Sequence, residues 1–386
     1  MEKLSIGVVG GGIGGLTAAI ALQRMGHRVT VYEQSKAYAR IGADINLTPN
    51  AVKALDGLGL NDAIRKTAAR PTHRISRMWD SGKETSRLAM SNEAELKYGA
   101  PQLTIHRADL LVALADAFDI QNVVFNARID QITELPGAGV RVTTTSGRCD
   151  ELDVVIGADG IHSAVRAYLF GAEQPRFTGV VAYRAVVPAE QLQDLPDIQA
   201  FTKWWGETPE SQTVTFPLNQ GKDIFIFATT AQDSWTEESW TGAGDCDELR
   251  SHYTHFHPQA RALLDRCDDV LKTALYERDP LQYWSKGRIA LLGDACHPMM
   301  PFMAQGAGQA IEDAIVLARA LEHASNGDEA AAALHLYQAV RQDRARQIQI
   351  GSRSNQWLKN AGSADWVYGY DAWTVPLQGT AEEVTA

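Results

Sequence analysis

Three short glycine-containing stretches, and the acids beside them, are where this chain could do chemistry. Gly10-Gly11-Gly12-Ile13-Gly14-Gly15 follows an apolar run from Ser5 to Val9 and leads into apolar residues at helical spacing from Leu16 to Met25. Val29-Thr30-Val31-Tyr32 reads as a second strand, ending in Glu33. Strand, glycine turn, helix, strand and acid, in that order, make a dinucleotide-binding βαβ unit. Gly10 permits the tight turn, Gly12 lets the backbone approach a pyrophosphate, and Gly15 lets helix and strand come close. The N–H groups at the helix start would face the phosphates. Glu33, eighteen residues past Gly15, can accept hydrogen bonds from a ribose. Its charge disfavours a 2′-phosphate, so NADP is not the expected resident. These residues alone do not separate NAD from FAD.

The second stretch runs from the strand Asp153 to Ile156 into Gly157-Ala158-Asp159-Gly160, with Ser163 placed to cap the next segment. The third runs from Gly287 to Pro298, a buried strand ending in Gly293-Asp294, and Gln305-Gly306-Ala307-Gly308 then opens an apolar helix through Leu321. Gly293 allows close approach of the backbone, the Asp294 carboxylate can hold a polyol hydroxyl, and the helix start offers N–H donors to a developing anion. His297, three residues after Asp294, is either a base or a side chain that caps the turn. Tyr183 and Arg184 stand on an expected strand and could meet a substrate. Trp204 and Trp205 could wall an aromatic pocket or belong to a core, and Thr215, Phe302 and Met303 could contribute pocket wall. Asn46 could donate to a substrate oxygen or satisfy its own backbone.

Composition narrows the partners. The chain has 386 residues, with 36 basic against 47 acidic side chains and a formal net charge of −11. Such an acidic surface repels phosphate backbones, so nucleic acid is not an expected partner. The four cysteines lie far apart with no Cys-x-x-Cys pair, which fits a reducing cytoplasm. No apolar run is long enough to span a membrane. His252, His255 and His257 cluster, but no acid or cysteine at ligand spacing accompanies them, so no metal is expected.

The three stretches in this order resemble the single-component FAD monooxygenases that hydroxylate aromatic rings, and the resemblance runs from about Ser5 to about Arg344. It implies FAD as the cofactor: the first stretch would bind its adenosine diphosphate, Asp159 and Gly160 would serve FAD and the nicotinamide nucleotide, and Asp294 would hold the ribityl chain. Arg40 and Arg107, in Ala39-Arg40-Ile41-Gly42 and His106-Arg107-Ala108-Asp109, resemble the arginines of the phosphate and ribityl region. With one dinucleotide fingerprint, NADH or NADPH would dock transiently, NADH being preferred here. O2 would then react to give a flavin C4a-hydroperoxide, which needs an electron-rich ring. Gly42 to Asn50, Thr202 to Trp205, Pro298 to Gly308 and Tyr368 to Trp373 are most similar to the branch acting on hydroxynicotinate, salicylate and hydroxybenzoate. The likeness departs at the substrate: that branch implies histidines and a tyrosine where this chain has Asn46, Thr215 or Phe216, and Phe302.

The expected fold is α/β: a Rossmann-like FAD-binding domain with an inserted antiparallel-sheet substrate domain and a long C-terminal helix. The expected spans are 1–70, 98–176 and 280–328 for the FAD-binding parts, 71–97 and 177–279 for the substrate side, and 329–386 for the helix and tail. The expected activity is hydroxylation, with or without decarboxylation, of a small hydroxylated aromatic or pyridine carboxylate by a monomer or homodimer. Halogenation or reduction on the same scaffold, and non-catalytic FAD binding, are the alternatives. A Trp-x-Trp-x-Ile-Pro pattern, expected of a halogenase, is absent from the sequence.

Overall fold

A computed structural model describes residues 3–38, 44–90, 92–137, 139–236, 242–360 and 362–378. Arg40 and the last eight residues therefore lie outside the described residues. Two sheets organise the chain. The first has the strand order Ser285–Lys286, Ile289–Leu291, Val154–Gly157, Ser5–Val9, Arg28–Tyr32 and Val123–Val124. Its pairings are parallel except at the Ser285–Lys286 edge. Parallel strands need helices on their faces, which is why these strands read as continuous apolar runs. Helix Ile13–Arg24 packs against helix Gly306–Leu321, with Gly14 close to Ala310.

The second sheet has seven strands in the order Leu271–Glu277, Arg176–Pro188, Asp223–Ala231, Gln212–Leu218, Phe201–Trp205, His73–Met78 and Glu84–Ala89. Strands Arg176–Pro188, Asp223–Ala231 and Gln212–Leu218, from the part of the chain expected to hold the substrate-side sheet, lie side by side in it. The sheet is mixed rather than wholly antiparallel, because Phe201–Trp205 pairs parallel to His73–Met78. Hairpin turns force antiparallel neighbours, whereas His73–Met78 arrives from a distant part of the chain and is free of that constraint.

Alternation along these strands sorts their side chains onto two faces. The outer face carries Val181, Tyr183, Trp204 and Ile226 and is covered by helices Cys246–His252 and Pro258–Asp265 through Leu249 and Leu263, with Tyr253 from the turn between them. The inner face carries Ala182, Phe201, Val214, Phe216, Phe225 and Phe227, and packs with Met300 and Phe302 from the segment after Asp294.

The long helix, Gly327–Arg353, is capped by the Asn326 side chain, which accepts from the Asp328 and Glu329 N–H groups. Midway along it Arg341 is fully buried. Its Nε donates to Asp313 Oδ1 at 2.8 Å, and its Nη1 lies 2.7 Å from Glu312 Oε2. Arg344 adds a second cation to Glu312 at 2.8 Å, and Asn50 Nδ2 donates to the same carboxylate at 2.6 Å. Asp313 Oδ2 accepts the Gly293 N–H at 3.1 Å and lies 2.6 Å from His297 Nε2. Burial alone would raise both carboxyl pKa values, but the facing cations outweigh it and hold both below the ordinary range.

Breaking such a pair from one side leaves buried charge uncompensated. Arg341→Met should cost about 3–5 kcal/mol in urea unfolding at neutral pH; a cost under about 1 kcal/mol would remove the pair as an organising contact. Depressed carboxylates stabilise above their unfolded pKa, near 4, and lose that contribution as pH falls through the folded value. The deficit of the variant should therefore shrink as unfolding is measured at progressively lower pH.

Candidate functional site

Gly10, with φ of +103°, makes a turn that L side chains rarely adopt, and a Cβ there would overlap the Ala158 carbonyl. A Cβ on Gly15 would overlap the Gly10 carbonyl oxygen. At Gly12 the situation reverses: a Cβ would meet nothing within 4 Å among the described residues. Helix Ile13–Arg24 starts there with no side chain capping it. Uncapped N–H groups beside open space form a cradle suited to a pyrophosphate. Glu33 closes the turn, its Oε2 accepting from the Gly11 N–H and its Oε1 from the Ser35 N–H, each at 2.8 Å.

Asp159 sits at the end of the neighbouring strand, before Gly160, whose φ is +77°. Its Oδ1 accepts from the Ser163 hydroxyl at 2.5 Å, and its Oδ2 accepts the Ala164 and Val165 N–H groups. Burial raises its pKa against those bonds. The carboxylate thus shapes the loop and the start of helix Ala164–Phe170. Arg166 of that helix donates to the Cys296 carbonyl at 3.1 Å, tying the middle stretch to the third.

Gly293 has φ of +62°, and a Cβ on it would approach the Ala310 Cβ to 3.0 Å. Asp294 comes next on the outside of the turn, open to solvent yet surrounded by protein. Its pKa is raised by burial, while His297 and Arg107 pull it down, so Arg107 lies within electrostatic reach of Asp294. Helix Gly306–Leu321 begins with Gly306, Ala307 and Gly308 and has no side-chain cap. Gln305, fully buried, steadies this start by donating to Thr48 Oγ1 at 2.8 Å. Two uncapped helix N-termini, a glycine cradle, an acid and an arginine suit a long anionic dinucleotide.

On the substrate side the structure separates residues that are adjacent in sequence. Arg184, Trp205 and Phe302 belong to the inner face. Tyr183, Trp204 and Thr215 do not; Tyr183 and Trp204 are in the outer core, and Thr215 lines a small cleft with Gln259 and Leu263 of the covering helix. Neighbours on a strand point opposite ways, so only one of each pair can reach either face. Met303 is buried against Ile348, Leu358 and Tyr368, beside the inner face rather than on it. His297 is 2 % exposed, held by Asp313 and packed against Trp284. That contact makes it a positioning group for the Gly293 turn. His257 caps helix Pro258–Asp265 and stacks on Trp204.

Asn46 lies on strand Ile45–Leu47; its Oδ1 accepts from Gln102 at 2.8 Å, and its Nδ2 is buried with no hydrogen-bond partner among the described residues. Two steps before it, Asp44 has its pKa raised by burial to about 6, with Arg184 pulling the other way. Asp44 and Lys203 lie inside the stretches Gly42 to Asn50 and Thr202 to Trp205 that carry the resemblance, but nothing in the sequence singles them out there, and no motif contains Arg74. Arg74 and Lys203 lie in one inner-face row with Phe201 and Trp205, a phase visible only once the strand is known.

The pattern of the FAD binding domain family matches residues 3–351. The 6-hydroxynicotinate 3-monooxygenase of Bordetella bronchiseptica is 38% identical over 376 residues, covering 97% of each chain. The 3-hydroxybenzoate 6-hydroxylase of Klebsiella oxytoca is 34% identical, covering 90% of this chain and 86% of the relative. Among solved structures, a salicylate hydroxylase substrate complex superposes with a TM-score of 0.82 at 26% identity, covering 96% of each chain.

Asp294→Ala should weaken FAD retention on the order of tenfold or more, the range of a lost charge-assisted hydrogen bond. Visible flavin absorbance per chain after desalting measures it, and a fully loaded variant would take Asp294 out of the binding set.

Proposed function

Since the chain belongs to the FAD binding domain family and is an FAD-dependent monooxygenase, we propose that it hydroxylates a hydroxylated aromatic or pyridine carboxylate using O2 and NADH or NADPH. The observation that carries this reading is the apolar inner face, joined to the Asp294 segment through Phe302. Phe201, Phe216, Phe225 and Phe227 give that face flat, dry wall, the surroundings an aromatic ring prefers. The curated relatives act on ring substrates, as their names state.

Bound FAD supplies the redox chemistry that activates oxygen. The protein's own part is to bind, orient and exclude water. The Gly12 cradle and the start of helix Ile13–Arg24 hold the pyrophosphate, Glu33 the adenosine ribose, and Asp294 with Arg107 the ribityl region. The uncapped start of helix Gly306–Leu321 presents N–H donors and the positive end of the helix dipole to negative charge on the cofactor. Phe302 orients the ring, and Asp44, whose pKa burial raises to about 6, is suited to accept a proton from a ring hydroxyl. Asp159 and Gly160 shape the loop at which the nicotinamide nucleotide docks.

NADH consumption by the FAD-loaded protein should rise in the presence of members of a panel of hydroxynicotinates, salicylate and hydroxybenzoates. The product should gain one oxygen atom by mass, and carbon dioxide release would mark decarboxylation. No stimulation by any member would sink the reading. Phe302→Ala should change the order of preferred substrates at least several-fold in kcat/KM with FAD content unchanged, whereas Thr215→Val should leave that order alone. An unaltered order in the Phe302 variant would take this residue off the substrate.

A further inference from the structure

The inner face carries two buried cations with no anion to meet them among the described residues. Arg74 is 3 % exposed and Lys203 is 2 % exposed. They lie on the two strands that pair in parallel, Arg74 opposite Phe201 and Lys203 opposite Ser76, so both project to the same side. Arg74 stacks on the Phe201 ring at 4.8 Å, and its Nη1 has no hydrogen-bond partner among the described residues. Lys203 stands 3.7 Å from the Trp205 ring centroid and 5.6 Å from that of Phe302. Its ammonium donates to a neutral oxygen, Asn355 Oδ1, at 2.5 Å.

The opposite face shows what a satisfied arginine looks like in this sheet. Arg77, three residues on and pointing outward, meets Asp197 at 2.7 Å and Glu84 at 3.5 Å. No ion pair is formed by Arg74 or Lys203 among the described residues; the charges felt by Lys203 are those of Arg74 and Lys359, both of its own sign. Burial first, and these cations second, hold the Lys203 pKa well below its usual value, so its ammonium form is disfavoured until a negative charge arrives beside it. Buried polar groups without partners are costly, and two adjacent cations more so. Asn355 fixes the geometry, since its Nδ2 donates to the Pro209 carbonyl at 2.6 Å while its Oδ1 accepts from Lys203.

We propose that Arg74 and Lys203 form the anchor for the carboxylate of an aromatic ligand whose ring lies against Phe302. This rests on the reading that the inner face receives the substrate ring. A carboxylate brings the missing negative charge, takes two hydrogen bonds from a planar guanidinium and one from an ammonium, and leaves the ring in the phenylalanine-lined wall. A neutral ring of the same shape gains only the wall.

The test is equilibrium binding to the FAD-loaded protein, followed by the change in the flavin absorbance spectrum on titration with benzoate, benzamide and phenol. Benzoate should bind at least tenfold more tightly than benzamide or phenol. Lys203→Met and Arg74→Gln should each weaken benzoate on the order of tenfold or more, and move benzamide less than about twofold. Equal affinity of the wild-type protein for benzoate and benzamide overturns the anchor, with no variant needed. So does phenol binding more tightly than benzoate, or benzoate affinity unmoved in both variants. Binding requires no turnover, which keeps the two readings apart. A carboxylate preference without hydroxylation of any panel member sinks the proposed reaction and supports the anchor; hydroxylation without a carboxylate preference does the reverse.

Discussion

A fully buried guanidinium facing two consecutive carboxylates constrains everything around it. Arg341, Glu312 and Asp313 have no access to solvent, and ions so placed are tolerable only when every partner is in position at once. Asp313 reaches the Gly293 turn and His297, and Glu312 reaches Asn50. Segments near residues 50, 293, 313 and 341 are therefore committed to one arrangement. The start of helix Gly306–Leu321 and the Asp294 turn inherit their positions from it. The Gly306 helix start and the Asp294 turn are held precisely because the two carboxylates, a little under two turns into that helix, cannot relax.

The cofactor half of the fold was legible because its chemistry is local. A turn that only glycine can make, a helix start and an acid fall within thirty residues, and each has a physical reason to be adjacent. Gly10, Gly15 and Gly293 show the crowding or the positive φ that their positions implied. The parallel sheet, the helix from Gly306 and the long helix near the C-terminus match the expected pattern within a few residues.

The substrate half was less legible, since it depends on which way side chains point in strands whose phase the sequence leaves open. Tyr183 and Arg184, or Trp204 and Trp205, cannot share a face, and no single-sequence pattern says which of each pair turns inward. Aromatic residues abound on both sides, one set against helices and the other against the Asp294 segment, so composition gives no help. Arg74 and Lys203 are separated by more than a hundred residues of chain and become neighbours only through a parallel pairing that no hairpin announces. His297 stands out in the sequence by its place three residues after Asp294, yet its ring turns toward Asp313, a partner sixteen residues away.

The long helix joins these two halves as a single rigid member. Near its middle Arg341 is locked beneath the cofactor side; farther along, Gln349 donates to the Pro298 carbonyl, and Arg353 pairs with Glu277 at 2.8 Å at the end of a strand of the second sheet. Twelve residues of helix separate Arg341 from Arg353, roughly 18 Å at 1.5 Å per residue. It is anchored at the buried ion pair and again at its far end. A tilt of about 3° at Arg341 carries the far end through roughly 1 Å, a distance comparable to the tolerance of a hydrogen bond. The aromatic roof and the cofactor floor thus share one alignment, and sequence drift along this helix is geometrically a change of both.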